Sequence, residues 1–333
     1  MKNKILFLTD INKKIGTGHF MRSARMAKEF IKFKYKIYLI SKTQKKNDKT
    51  KLFKKIYHLP SYDKIFNLIL KINPHLLIID LPKPDLKFEK KLSMKNINFL
   101  IYDRLLRKKI HSNFLINLNP KITKKDYDKK LIKNTRLLLG PKYFPINSNI
   151  YQKKTLDRIK NVLIFLGGGK NNYNLINQIL SVIAKSKIKD CNIYFISMEK
   201  IDFHKKKNYR NNYNLKLNFI NNTDDIYSFV RKSDLSIITS GSISFESCFF
   251  NVPMILISIA ENQISIAKSW NKLKLGCYAG NPQNKNFKTK LNNYINNLYN
   301  FDERFKMSNK QKKIFNNNFN YISDLVSILK NEF

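Results

Sequence analysis

The sequence predicts an α/β protein built from two Rossmann-like domains, each a doubly wound parallel sheet, facing a cleft. Three observations carry this. Short apolar runs alternate with helical patterns along most of the 333 residues, the signature of parallel strands joined by crossover helices. The alternation stops once, over the polar stretch Phe144 to Arg158, and then begins again. In both halves strands run directly into glycine turns, which in open sheets lie where ligands bind, outside the carboxyl ends of the strands.

Taken in order, Lys4 to Thr9 is a buried strand, and His19 to Phe33 is a helix with Phe20, Ala24, Ala27 and Ile31 on one face. Lys36 to Ile40 is the next strand. A lysine-rich loop follows, then a helix over Tyr62 to Lys71. Leu76 to Asp80, Ile97 to Asp103, Phe114 to Asn117 and Arg136 to Gly140 read as further strands. Gly140-Pro141 and Pro145 open the linker, which places the domains at 1–145 and 146–333. The second half restarts with the strand Asn161 to Leu166 and the helix Tyr173 to Lys185. Strands over Cys191 to Ser197 and Leu215 to Ile220 come next. Thr223-Asp224-Asp225 caps a helix reaching Arg231. Leu235 to Ile238 is a strand and Ile243 to Phe250 a helix. Pro253 to Ile257 is a strand and Asn262 to Leu273 a helix. From about Asn284 the chain has no glycine or proline and reads as one long helix or a helix pair.

Composition bounds the function. At 43% apolar and 13% aromatic the chain can bury two cores. The net charge of +41 suits either a polyanion partner or a general drift toward lysine. Only nine of the 64 basic residues are arginine, and runs such as Lys45-Lys46 and Lys205-Lys206-Lys207 are short and scattered. Sequence-specific nucleic-acid readers use arginine forks on one basic face, so drift is favoured, with an anionic small substrate as a beneficiary. A non-catalytic polyanion-binding protein is the alternative from a different class. Cys191, Cys248 and Cys277 lack metal-ligand spacing and read as buried apolar residues in a reducing compartment. The longest apolar run, Met254 to Ala260, is too short to span a membrane. A cytoplasmic monomer without metal or cofactor is expected.

Four stretches carry chemistry. Ile15-Gly16-Thr17-Gly18-His19 turns from a strand into a helix, a place suited to anions, and sets a histidine at the helix start. His19 is there either as a proton-transfer group or as a satisfied cap. Gly167-Gly168-Gly169 follows a buried strand and can aim successive N–H groups at one anion, without the Gly-Lys-Ser/Thr ending of a P-loop. Gly241-Ser242 repeats the arrangement, with Glu246 one turn into the helix. Phe245, Cys248 and Phe249 make that helix largely buried, so Glu246 needs a partner, such as ribose hydroxyls. Asn262-Gln263 can contact a sugar or cap a helix, and Asn117 and Asn119 are equally two-sided. Asp10, Asp80 and Asp103 stand at strand ends, as site residues or as turn formers.

Together these residues resemble the UDP-2,4-diacetamido-2,4,6-trideoxy-β-L-altropyranose hydrolase family of pseudaminic acid biosynthesis, with the related spore-coat polysaccharide proteins. The matching stretches are Ile15 to Arg22, Phe114 to Asn119, Leu138 to Tyr143, Phe165 to Gly168 and Asp234 to Gln263. The chain is similar, more distantly, to the UDP-GlcNAc transferase of peptidoglycan synthesis. It departs from the family at Thr9, at Leu81-Pro82 and at Gly169-Lys170. The resemblance implies a GT-B glycosyltransferase-like fold, His19 as general base and UDP against the C-terminal domain. The expected reaction is hydrolysis of a UDP-activated deoxy amino sugar, with a UDP-sugar glycosyltransferase as the alternative. Gly16, Thr17, Gly18, Arg22, Asp10, Asn119, Asn262 and Gln263 would serve the sugar or diphosphate. Gly167, Gly168, Gly169, Gly241, Ser242 and Glu246 would hold UDP. The helix dipole is expected to keep His19 neutral.

Overall fold

A computed structural model describes residues 3–10, 18–41, 48–82, 85–104, 106–107, 109–132, 134–146, 155–168, 172–199, 215–221, 223, 225–315 and 321–332. The chain divides into two compact units, one of residues 1–148 with 318–333 and one of residues 149–317.

The first unit holds β1 (Lys4–Thr9), α1 (Gly18–Lys32), β2 (Lys36–Ser41), β3 (Lys55–His58), α2 (Tyr62–Ile72), β4 (Leu76–Asp80), α3 (Leu86–Met94), β5 (Phe99–Tyr102), β6 (Phe114–Asn117) and β7 (Arg136–Leu139). All seven strands are parallel, in the order β3-β2-β1-β4-β5-β6-β7. Strands so placed are covered on both faces and therefore read as continuous apolar runs, as Leu76-Leu77-Ile78-Ile79 does. One face carries α2 and α3, through Ile65, Phe66, Phe88 and Leu92 against Leu6, Leu77, Ile79 and Ile101. On the other face α1 lies against β1, β2 and β4. Phe20, Ala24, Ala27 and Phe30 of α1 are fully buried, but Ile31 is 40% exposed. The buried arc centres on Ser23, Ala27 and Phe30, and Ile31 in the last turn lies at its margin.

The second unit holds β8 (Asn161–Phe165), α4 (Tyr173–Lys185), β9 (Asn192–Ser197), β10 (Lys216–Asn221), α5 (Ile226–Lys232), β11 (Leu235–Thr239), α6 (Ser242–Phe249), β12 (Met254–Ile257), α7 (Glu261–Lys272), β13 (Cys277–Gly280), α8 (Phe287–Tyr299) and α9 (Phe301–Lys312). Its six parallel strands run β10-β9-β8-β11-β12-β13. The core joins Ile179 and Ile183 of α4, Leu291 and Ile295 of α8, and Ile164 and Ile237 of the central strands.

The tail corrects two expectations. It forms three helices among the described residues, not one or a pair. Its last, α10 (Tyr321–Glu332), belongs to the first unit rather than to the C-terminal domain. There α10 packs beside α1, and the Leu329 carbonyl lies 2.8 Å from His75 Nε2. Strands β3 and β13 and helix α3 are additions to the sequence reading. In both units the opening strand is central and the strand order reverses beside it, between β1 and β4 and between β8 and β11. These are the topological switch points, where open α/β sheets bind ligands. Among the described residues no helix is long and apolar enough to cross a membrane.

Candidate active site

β1 and β4 lie side by side with Thr9 opposite Asp80. Asp80 ends an apolar strand and is fully buried. A carboxylate there is stable only with partners, and α1 supplies them. His19 and Arg22 stand one turn apart and so share a side of the helix. His19 Nδ1 is 2.6 Å from Asp80 Oδ1. Arg22 grips the same carboxylate with both prongs of its fork, Nε to Oδ2 and a terminal nitrogen to Oδ1, and its guanidinium stacks 4.3 Å over the Tyr102 ring of β5. Beyond the end of β5, Arg104 places a terminal nitrogen 2.9 Å from His19 Nε2.

These partners fix the histidine's tautomer. Nδ1 faces a carboxylate and carries the proton; Nε2 faces a guanidinium donor and offers its lone pair. His19 is only 5% exposed. Burial, opposed by Asp80 and reinforced by Arg22 and Arg104, holds the imidazole below its ordinary 6.5. The imidazole is thus neutral for a different leading cause than the helix dipole. Burial alone would raise the Asp80 carboxyl, but Arg22 and His19 outweigh it and hold it well below the usual carboxylate range. Burial and then Arg22 lower the Arg104 guanidinium to about 10.

A second buried network anchors the segment that bears Arg104. The Tyr127 hydroxyl donates to Asp103 Oδ2 at 2.8 Å and accepts from Asn117 Nδ2 at 2.7 Å. Arg107 bridges from Asp103 to the buried Glu89. Burial raises the Glu89 carboxyl although Arg107 opposes it.

The residues singled out from the sequence divide as follows in the first unit. His19 joins the cluster, and Gly18 opens α1. Gly16 and Thr17 lie outside the described residues. Arg22, expected to reach phosphate or sugar, is instead buried and turned onto Asp80, because that carboxylate needs a counter-charge. Asp10 is buried one residue past β1, and its charge, after that of Asp85, helps burial push the Tyr62 hydroxyl up to about 12. Asn119 forms a turn at β6: its Oδ1 accepts from the Lys121 N–H and its own N–H donates to Asn117 Oδ1. Asp80, read from the sequence as a site residue or a turn former, lies at the centre of the cluster, and Arg104 is an addition to the expected site.

The second unit presents backbone rather than charge. Gly167 has φ of +95°, which a side chain adopts only with strain, and lies against Thr239 at the end of β11. Gly168 follows it, and Gly169 lies outside the described residues. Gly241 starts α6 with no side chain capping it, and a Cβ there would face open space. The N-cap of α6 thus offers no side-chain acceptor, and the Ser244 N–H bonds the Gly241 carbonyl; a helix start left so suits an anion. Glu246 is one turn in and 2% exposed. At the end of β12, Asn262 is exposed, while the Gln263 carboxamide oxygen accepts from the Ile259 N–H at 2.9 Å. Gln263 is therefore a cap on one side, with only its amide nitrogen left for a ligand.

Residues 162–325 match the glycosyltransferase family 28 C-terminal domain. Over 268 residues the chain is 25% identical to the UDP-2,4-diacetamido-2,4,6-trideoxy-beta-L-altropyranose hydrolase of Campylobacter jejuni, covering 79% of this chain and 94% of that protein. It is 27% identical over 285 residues to an uncharacterized protein of Methanocaldococcus jannaschii, covering 76% of this chain and 55% of that one. The chain thus spans about half the length of this archaeal relative. Among solved structures, Acinetobacter baumannii MurG superposes with a TM-score of 0.70 at 13% identity, over 98% of this chain and 99% of that one. Phytolacca americana UGT2 superposes with a TM-score of 0.70 at 11% identity, over the whole of both chains. The chain therefore has the two-domain, GT-B glycosyltransferase-like fold and resembles the UDP-2,4-diacetamido-2,4,6-trideoxy-β-L-altropyranose hydrolase over most of its length.

Proposed function

We propose that the protein hydrolyses a UDP-activated deoxy amino sugar to UDP and the free sugar, in nonulosonic (pseudaminic) acid or surface polysaccharide biosynthesis. Kinship with sugar-nucleotide enzymes supports the substrate class. The observation that carries general-base chemistry is the neutral, carboxylate-held imidazole of His19. A general base must be unprotonated and must point one nitrogen lone pair at the proton it takes. With Nδ1–H held by Asp80, that nitrogen is Nε2.

In this reading Nε2 accepts a proton from water as the water oxygen attacks the anomeric carbon. The bond from that carbon to the diphosphate oxygen breaks, and UDP leaves with the electron pair. Asp80 stabilises the imidazolium that forms, and Arg22 holds Asp80 in place. N–H groups at Gly167, Gly168, Gly169, Gly241 and Ser242 receive the charge growing on the leaving diphosphate, as preorganised dipoles. Glu246 accepts the ribose hydroxyls. Asp10, Asn119, Asn262 and the Gln263 amide serve the sugar.

The second reading is a UDP-sugar glycosyltransferase, favoured by the family 28 match over residues 162–325. His19 would then deprotonate an acceptor hydroxyl instead of water. Incubating the purified protein with UDP-activated deoxy amino sugars, with no acceptor present, separates the two. Hydrolysis predicts stoichiometric UDP and free sugar. UDP release that appears only when an acceptor is added would replace the hydrolase with the transferase.

A further inference from the structure

Two guanidiniums and one carboxylate meet around His19. Asp80 is occupied by His19 and by both prongs of Arg22. Arg104 has no carboxylate of its own: among the described residues it forms no ion pair, and its hydrogen bond is to His19 Nε2. With His19 neutral, Arg22 and Arg104 leave the cluster one positive charge in excess over Asp80. A partly buried cation without a counter-charge is unfavourable, and a single imidazole nitrogen uses little of a five-donor planar fork made for oxyanions. The position matters as much as the charge. Arg104 stands on the one His19 nitrogen that can accept a proton, so while it stays there the lone pair is taken. The backbone beneath it is braced through Asp103, Tyr127 and Arg107, so a change of partner requires only rotation of a long side chain.

We infer that Arg104 is an oxyanion receptor that masks the His19 lone pair in the unliganded protein and releases it when its guanidinium moves onto an oxyanion of the substrate. This rests on the reading of His19 as the base. It adds that the base becomes available only when an anionic group is in place beside it. That oxyanion is either the diphosphate of the sugar nucleotide or a carboxylate on the sugar, both of which suit a guanidinium fork in the same way.

The test uses the full chain labelled with 15N-histidine, with long-range proton–nitrogen spectra of the imidazole rings and His19→Ala to assign His19. Pyrophosphate and glucuronate are the two probes. In the wild type, at least one of them should shift the His19 Nε2 signal saturably and move its titration upward, since a cation leaves and an anion arrives. A response to pyrophosphate alone identifies the diphosphate, and a response to glucuronate alone identifies a sugar carboxylate. Arg104→Met should show the raised titration without any probe, and should bind the effective probe at least tenfold more weakly with no further His19 shift. Arg104→Lys, which keeps the charge but not the fork, should fall between. Wild-type His19 signals unmoved by both probes would overturn the proposal, as would Arg104→Met responding like the wild type. If Arg104→Met fails to fold, the wild-type titration still decides. Because the spectra read a ring nitrogen and not turnover, a protein that releases no UDP would leave this inference standing. An active enzyme with an unresponsive His19 would sink it alone.

Discussion

At the switch point of the first sheet, between β1 and β4, the chain buries a carboxylate, an imidazole and a guanidinium within hydrogen-bond reach of one another. At the switch point of the second, between β8 and β11, it places glycines, a serine and an uncapped helix start. The topology of the two places is the same and the chemistry is opposite. The first cluster is largely satisfied from within: Asp80 answers Arg22, and His19 is held by both of its nitrogens. The second offers a helix start with no side-chain cap, and its Ser244 N–H is met by the Gly241 carbonyl. A base has to be oriented before the substrate arrives, whereas a phosphate cradle has to be left unfilled. The second unit also buries an arginine, but uses it differently. Arg304 donates to the carbonyls of Leu298, Tyr299, Leu156 and Asp157 and so ties α9 to the start of its own unit.

Four measurements would break or sharpen this contrast. Asp80→Asn should have the largest effect. It removes the charge that holds the imidazole and leaves Arg22 without a counter-charge. We expect UDP release to fall by about 10²-fold or more and stability to fall by about 3–5 kcal/mol in urea melts. Wild-type rates in that variant would remove the first cluster from the chemistry. Next is Arg304→Lys, which cannot reach four carbonyls. It should lower stability by about 1–3 kcal/mol while a folded sample retains its rate. A large loss of turnover in folded protein would mean that the second unit's buried charge is not merely structural. Glu246→Ala should weaken UDP binding about tenfold, or about 1.4 kcal/mol, and leave a folded protein. Unchanged affinity by calorimetry would end its ribose role.

The smallest effect is on pH dependence. The folded-state value of His19 lies below its ordinary 6.5, so the unfolded chain takes that proton first as pH falls. Asp80 is likewise depressed. Both contributions are present above the unfolded values and are lost on acidification, His19 beginning near 6.5 and Asp80 beginning in the ordinary carboxylate range and continuing below it. Melting temperature should therefore fall as pH drops below about 6.5, and the acid limb of kcat/KM should lie below that value. An acid limb above 6.5 would mean that His19 is not the titrating base.

Much of the fold is readable in the sequence because buried parallel strands leave continuous apolar runs: Ile5 to Leu8, Leu76 to Ile79 and Val162 to Ile164 each mark a central strand. The additions lie where that signal fails. β3 and β13 are edge strands; β3 is only partly buried, and β13 ends in a glycine. The pairing of His19 with Asp80 joins residues 61 apart, a distance no local pattern spans. It exists because the crossover brings β4 beside β1, and its one trace in sequence is a carboxylate closing an apolar strand. Arg104 left a fainter trace. In a chain whose basic residues are nearly all lysine, each of nine arginines stands out. Arg22, Arg107 and Arg304 hold positions where a planar fork does what an ammonium cannot.

The central claim is that the first unit supplies a base and the second holds the nucleotide. One comparison tests it most directly: UDP release, without acceptor, by the wild type and by His19→Ala, alongside UDP affinity for both. The account predicts that the variant loses about 10²–10⁴-fold in rate and binds UDP as the wild type does. Full activity in His19→Ala, or loss of UDP binding together with the rate, would contradict it.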